Sequence, residues 1–503
     1  MIGKNNYYLS SLFWSTTARI LNAILGFITV PLLLGYYGKA EYGLLSIATA
    51  CNGYMHLLDL GMNTGAVKFY TQWKTEGKTD KVFKVARTNI TFYVIIAVVN
   101  ICMLLCVAFW GENLFSVTHI QFLQIRSCLL IIALFCVFSW VTTVFNQLLI
   151  ADKQLAFTMQ IQCVQVVLKA LAVILVIVAN MTLTTYFFYI TLFVALACIP
   201  YAVKCRKDNL IDGFCPSWYW ADFKVVLNFS LSIFALSLFQ VTATQSRPIL
   251  LSIFASNGAS AVADFRIIEV VPQLIIMIGG TFSSIFLPKT SEMVAKKDEL
   301  AMHEFAYRWT TYTTIVVATM CFPFMLNASD VLSAYVGSEY AYLSKWLIIW
   351  CLTVLVQMHT TPGNALVLAY GKTKLLVKVT AVSCLFSMLL NVLLCKYLEV
   401  GSTVIAYFVY TLIIIGLYYV SFYKKLLGLN RLKLLRCFLV PVIIAFLIFI
   451  IVYFIPITKN CFGEINERLA YVLVCIAKTL IWLLPYVGIL LIFNIIDLRK
   501  IKK

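Results

Sequence analysis

Long apolar stretches, separated by short polar loops, alternate along almost the whole chain of 503 residues. A helix that crosses a membrane needs about 20 apolar residues, and stretches of that length recur from one end of the sequence to the other. The fourteen stretches begin near Ser10, Glu41, Arg87, Ile125, Thr158, Thr184, Val225, Val262, Ala306, Tyr340, Thr373, Ser402, Leu434 and Leu469. The pattern therefore predicts an all-α polytopic membrane protein with fourteen transmembrane helices.

Weak internal symmetry suggests that the spans form two halves. The first span ends after Pro31 and the second opens at Glu41, while the seventh contains Pro248 and the eighth opens near Asp264. Internal repeats of this kind are common in transporters, whose binding site lies between the repeats. We expect six-helix lobes at residues 1–205 and 224–425, a cytoplasmic linker at 206–223, and a final helix pair with a basic tail at 426–503.

Polar residues follow a helical period inside several spans. In the first span Ser15, Arg19, Asn22, Gly26 and Thr29 are four or three residues apart, which places them on one face. The second span has the same spacing at Thr49, Asn52, His56, Asp59 and Asn63. Further polar positions that we assign to the same kind of face are Gln165 and Thr244. Such groups face other helices or a water-filled cavity, because lipid cannot satisfy them. We expect a polar lumen, with helix-helix hydrogen bonding as the alternative.

Charged side chains also lie inside the predicted spans. The cations are Arg19, Lys169, Arg247 and Arg266, and the acids are Asp264 and Glu269. A charge at membrane depth costs from about 3 kcal/mol to well over 10 kcal/mol, so it marks a functional site or a paired structural group. Because cations outnumber acids, we expect a positive lumen that attracts a phosphorylated substrate and repels lipophilic cations.

Several of these charges have a structural explanation as well. Arg247 lies near the outer end of its span and could extend its head group to the membrane surface. Arg266 and Glu269 are three residues apart and could pair across one helical turn. His56 and Asp59, also three apart, are either a proton-responsive pair or a contact at a helix end.

Lysine and arginine crowd alternate loops, and this distribution sets the predicted orientation. The chain has 39 Lys and Arg against 21 Asp and Glu, a net charge of +18. In a soluble protein that excess would suggest nucleic acid, but here it follows the positive-inside rule. We therefore expect no nucleic-acid partner and both termini in the cytoplasm.

The sequence motifs that mark several enzyme and metal-binding classes are absent from the chain. The chain contains no GxxxxGK[ST] phosphate-binding loop and no HExxH motif, and its 16 cysteines include no CxxC pair. We expect no metal site, no cofactor and no disulfide framework. Large outer loops with acidic clusters, which membrane glycosyltransferases use to hold sugars, are missing too, so an enzyme is the less favoured class.

The N-terminal segment resembles a known family. The residues that carry the resemblance are Arg19-Ile-Leu-Asn22, Pro31, Gly35-Tyr-Tyr-Gly38, Glu41-Tyr-Gly-Leu44 and Leu57-Leu-Asp-Leu-Gly61. This run is similar to the N-terminal signature of Wzx-type polysaccharide flippases of the multidrug/oligosaccharidyl-lipid/polysaccharide (MOP) exporter superfamily. The local signature covers about the first 75 residues, whereas the length and span count are similar over the whole chain.

The resemblance implies a multi-pass transporter of the bacterial inner membrane with a MATE-like fold. It would move undecaprenyl-pyrophosphate-linked oligosaccharide from the cytoplasmic to the periplasmic leaflet by alternating access, driven by a proton or sodium gradient. It also implies contact with membrane lipids and polysaccharide polymerase machinery; a monomer is our expectation.

On that model the residues divide into three roles. We expect Arg19, Lys169, Arg247 and Arg266 to bind substrate, and Asn22, Asn52, Gln165 and Thr244 to line the lumen. The candidates for ion coupling are Asp59, Glu269, His56 and Asp264. The alternatives are a multidrug or amphiphile exporter of the same fold and a membrane enzyme that acts on lipid-linked sugars.

Overall fold

A computed structural model describes residues 2–370, 374–457, 461 and 466–493. The α-helices of the first half are α1 (Ile2–Met55), α2 (Met62–Thr75), α3 (Thr79–Trp110), α4 (His119–Ala151), α5 (Leu155–Val178), α6 (Leu183–Leu196), α7 (Cys198–Lys207) and α8 (Trp220–Phe254). Those of the second half are α9 (Gly258–Lys296), α10 (Glu299–Leu326), α11 (Ala328–Tyr335), α12 (Ser344–Met358), α13 (Thr361–Ala369), α14 (Lys374–Leu398), α15 (Val400–Leu417), α16 (Arg431–Tyr453) and α17 (Glu467–Ile492). A π-helical segment, Tyr418–Leu426, continues α15.

The predicted spans correspond to these helices. Within the described residues, eleven stretches are long and apolar enough to cross a membrane. One of them, Phe13–Asp59, contains the first two predicted spans. A kink in α1 at Gly38, where φ is 82°, divides the two spans. The seventh and eighth predicted spans are α8 and α9, of 35 and 39 residues. The prediction of an all-α polytopic membrane protein is confirmed.

Two compact units make up the chain, residues 1–263 and 264–503. In the first unit α3 packs against α4, α1 against α5, and α8 against both α1 and α2. Its buried core includes Tyr70, Tyr93, Trp140 and Phe223. Because α8 packs into the first unit, the compact division falls later than the linker predicted at 206–223. The lobe boundaries given above remain predictions.

The second unit has its own core. Here α10 packs against α16, α14 against α15, and α11 against α17. Residues around Phe286, Phe422 and Tyr423 form its buried cluster. The two last helices are thus integrated into this unit rather than peripheral to it. Between α12 and α13 the α-helix is interrupted at His359 and Thr360, just before Pro362.

The second predicted span is not one continuous α-helix. After Met55 the chain makes one turn of 3₁₀-helix, His56–Asp59, and then two left-handed residues, Leu60 and Gly61. The left-handed conformation costs an ordinary side chain about 1 kcal/mol and glycine almost nothing. A Cβ at position 61 would also lie 2.6 Å from the carbonyl oxygen of Ser230 in α8. This turn and the close approach of α8 both depend on glycine.

We predict that Gly61→Ala destabilises the protein by about 1–3 kcal/mol, because it adds backbone strain and a clash with the Ser230 carbonyl. The measurement is the Tm of the purified protein in detergent. The matched control is Gly35→Ala in α1, where an added Cβ meets no atom within 4 Å. An unchanged Tm for Gly61→Ala would contradict this account of the turn.

Candidate functional site: a polar cavity in the first unit

Five helices of the first unit surround a cavity of ≈ 260 Å³. Its polar lining side chains are Thr49, Asn52, His56, Asn100, Ser139, Lys169 and Thr191. They come from α1 and the turn after it, α3, α4, α5 and α6. Three of the predicted site residues, Asn52, His56 and Lys169, therefore meet at one cavity. We call it the first-unit cavity.

Lys169 supplies the positive charge of this cavity. Its side chain is half-buried on α5 and makes neither a hydrogen bond nor an ion pair with another described residue. No aspartate or glutamate is among the lining residues of the cavity in the described chain. A cation held at membrane depth without a counter-ion is costly, and the cavity beside Lys169 leaves room for an anionic or polar partner.

Two amides line the same cavity as this cation. Asn52 lies on α1, and Asn100, only 2 % exposed, lies on α3. Neither makes a hydrogen bond to another described residue, and the Oδ1 atom of Asn100 is fully buried. A buried amide without partners costs about 1–3 kcal/mol. A ligand or water that bonds these amides would recover that free energy.

The turn at His56–Asp59 sends its two titratable side chains in different directions. His56 lines the cavity and its ring lies 5.4 Å from that of Trp140, whereas Asp59 accepts a 2.5 Å hydrogen bond from the Tyr93 hydroxyl of α3. The sequence pattern placed both on one face because it assumed an unbroken helix. That expectation is wrong. The α-helix ends at Met55, and the change from α-helical to 3₁₀ geometry leaves Asp59 outside the cavity lining.

Asp59 begins a buried chain of hydrogen bonds. Gln147 Nε2 donates to the Tyr93 hydroxyl at 2.9 Å, and Asn89 Nδ2 donates to Gln147 Oε1 at 2.7 Å and to the Tyr70 hydroxyl at 3.2 Å. Tyr93, Gln147, Asn89 and Tyr70 are fully buried. The chain therefore ties the turn after α1 to α2, α3 and α4.

Other predicted residues of the first unit lie outside the lining of the cavity. Arg19 is exposed on α1, and Asn22 Nδ2 donates back to Ala18 O of the same helix at 2.9 Å. Gln165 Nε2 donates to carbonyls of α6, at 3.2 Å to Val194, which is the helix-helix bonding considered as the alternative. The lumen roles of all three remain predictions.

The predicted residues of α8 also lie outside the cavity lining. Arg247 is buried, and its Nε donates to Ala243 O at 2.9 Å. Thr244 is exposed and donates to Val241 O. The structure does not bring these residues together with Lys169 at the cavity.

In the second unit the predicted charges have protein partners. Arg266 pairs with Glu269 at 2.6 Å, three residues along α9. Asp264, buried, accepts hydrogen bonds from the Tyr342 hydroxyl at 2.8 Å. Their proposed binding and coupling roles stay predictions, and the pairing itself is the structural alternative.

The sequence pattern missed Asn100, Ser139 and Thr191. Asn100 stands alone in an apolar span, so no periodic stripe pointed to it, although an isolated asparagine at that depth is itself a signal. Within the described residues no group of three or more His, Cys, Asp or Glu side chains could hold a metal ion.

Comparison with solved structures places the whole chain in a known architecture. The chain is similar to the Lipid II flippase MurJ in an inward closed conformation, with a TM-score of 0.67, 15% identity, and coverage of 94% of this chain and 98% of that one. It is also similar to a multidrug resistance MATE family transporter of the MOP superfamily in its inward-facing conformation, with a TM-score of 0.67, 12% identity, and coverage of 78% and 92%. For a MATE transporter of Vibrio cholerae the TM-score is 0.53 at 13% identity, with coverage of 84% and 99%.

The fold is therefore that of the multi-pass membrane transporters of the MOP superfamily. No curated protein matches the sequence. A family model does, that of polysaccharide biosynthesis protein, over residues 8–321. Because this match covers more than half of the chain, the protein belongs to the polysaccharide biosynthesis protein family.

We predict that Tyr93→Phe lowers stability by about 1–3 kcal/mol, because it removes the hydroxyl that donates to Asp59 Oδ1 and accepts from Gln147 Nε2. The Tm of the purified variant measures this. The control is Tyr486→Phe in α17, whose hydroxyl is buried and has no hydrogen-bond partner among the described residues, so its removal should be neutral or stabilising. Equal effects of the two substitutions would show that the chain of hydrogen bonds adds no stability.

Proposed function

We propose that this protein is a Wzx-type flippase that translocates undecaprenyl-pyrophosphate-linked oligosaccharide across the bacterial inner membrane. The substrate enters from the cytoplasmic leaflet and leaves in the periplasmic leaflet. Membership of the polysaccharide biosynthesis protein family supports this class of substrate, and the transporter fold supports movement rather than synthesis.

The observation that carries the proposal is Lys169 in the first-unit cavity. An oligosaccharide head group cannot cross hydrocarbon unaided, because each unsatisfied polar group costs several kcal/mol. A cavity with one cation, two amides and hydroxyl groups lowers that barrier without breaking a bond. The polyprenyl tail can remain in lipid while the head group passes through protein.

Alternating access is the mechanism that this fold offers. In repeat-built transporters, rigid units rock against each other around a binding site. No nucleotide-binding loop occurs in the sequence, so we propose that a proton or sodium gradient supplies the driving force. Asp59 and His56 are our candidates for the coupling group, since both lie on the turn next to the cavity.

We expect Lys169→Ala to lower translocation tenfold to a hundredfold, since a hydrogen bond to a charged group contributes about 1.5–3 kcal/mol. The variant is expressed at matched level in a strain that lacks its polysaccharide flippase. Surface polysaccharide and the lipid-linked intermediate in the cytoplasmic leaflet are both quantified. Arg19→Ala and Arg247→Ala are measured in the same way, as tests of their predicted lumen roles.

The matched control is Lys396→Ala, which removes an exposed lysine from the end of α14. Full rescue by the control and accumulation of the intermediate with Lys169→Ala would support the proposal. Full rescue by Lys169→Ala would assign that charge a structural role. Failure of the parent protein with a matched sugar, together with export of cationic amphiphiles, would favour the multidrug class instead.

A further inference from the structure

We propose that the first-unit cavity is the subsite for a single hydroxyl-bearing sugar ring with an anionic substituent, and that the pyrophosphate binds elsewhere. This proposal rests on the proposed function, because the ring would belong to the transported oligosaccharide. It assigns Asn100, Thr49 and Thr191 to sugar recognition, together with Lys169.

Two hydroxyl groups of the cavity lining present hydrogen-bond acceptors. Thr49 donates its hydroxyl proton to Leu45 O at 2.7 Å, and Thr191 donates to Phe187 O at 2.8 Å. Since each hydroxyl has one proton, both offer only lone pairs to a ligand. Acceptor atoms attract the O–H groups of a sugar and repel the oxygens of a pyrophosphate.

The two asparagine amides add both hydrogen-bond donors and hydrogen-bond acceptors. Each asparagine side chain has a carbonyl acceptor and an N–H₂ donor, and Asn52 and Asn100 use neither on another described residue. A sugar hydroxyl donates and accepts at once, so it can satisfy either end of an amide. A pyrophosphate, which only accepts, would leave the amide oxygens without a donor.

Charge and size favour one acidic ring. Lys169 is the single lysine or arginine on the cavity lining of the described chain, and no carboxylate there balances it. One ammonium group matches the single carboxylate of a sugar acid better than the multiple charges of a pyrophosphate. The volume of ≈ 260 Å³ is just below the roughly 300–1,000 Å³ of drug-sized ligand sites. One ring fits such a space, and an oligosaccharide does not.

The test is saturation-transfer difference NMR with the purified full-length protein in nanodiscs. The probes are a hexuronic acid, its neutral hexose and an N-acetylhexosamine, each also measured in the presence of inorganic pyrophosphate. We expect signal from all three sugars, with the hexuronic acid strongest by at least threefold. Inorganic pyrophosphate at equal concentration should leave these signals unchanged.

Two variants with matched controls locate the binding. Asn100→Leu and Thr191→Val should each reduce the sugar signals at least threefold. Asn146→Leu and Thr71→Val make the same chemical changes in the same unit outside the cavity lining, and both should leave the signals unchanged. Thr191→Val is nearly isosteric, so it keeps the test decisive if Asn100→Leu fails to fold. Lys169→Gln should make the signals of the hexuronic acid and the neutral hexose equal.

Three results would overturn the proposal. They are sugar signals that survive both cavity variants, displacement of the sugars by pyrophosphate, and absence of sugar binding by the parent. The proposed function is judged separately, by complementation with the parent protein. If the parent protein binds sugars in the cavity but translocates no lipid-linked oligosaccharide, the sugar subsite is supported and the proposed flippase function is contradicted.

Discussion

The cost of leaving a polar or charged group unsatisfied at membrane depth explains how the buried and half-buried charges of the described chain are placed. Most such groups are satisfied by protein: Arg266 by Glu269, Asp264 by Tyr342, and Lys478 by Asp330 at 2.8 Å. Lys169 differs, because in the described chain it has a cavity in place of a counter-ion. The cost of an unsatisfied charge therefore explains the paired groups as structural contacts, and it leaves the Lys169 ammonium group available for a substrate.

The turn after α1 connects that cavity to the interior of the first unit. On one side His56 contributes to the cavity lining, and on the other Asp59 is held by the buried chain of hydrogen bonds that begins at Tyr93. Gly61 permits α8 to approach closely enough to pack against the same segment. The segment that borders the cavity is therefore not α-helical, and the hydrogen-bonded chain connects it to α2, α3 and α4.

Hydropathy predicted the helices because a bilayer demands long apolar segments, and the pairing of Arg266 with Glu269 followed from their spacing alone. The sequence could not place Asp59, since a single 3₁₀ turn breaks the period on which that reasoning relied. It could not find Asn100, which belongs to no stripe, or the partner of Lys478, which is 148 residues away in the chain. Contacts between distant segments depend on packing that no local pattern encodes.

Trp140 lies between the cavity and the hydrogen-bonded chain that begins at Asp59. Its indole ring lies 5.4 Å from the ring of His56 at the cavity and stacks 5.5 Å from the ring of Tyr93, which donates to Asp59. An aromatic ring between the cavity and Asp59 has a low dielectric constant, so water and salt do not screen the electrostatic interaction across it. The arrival of an anion in the cavity would thus act electrostatically on the half-buried Asp59 side chain, without any atom having to move.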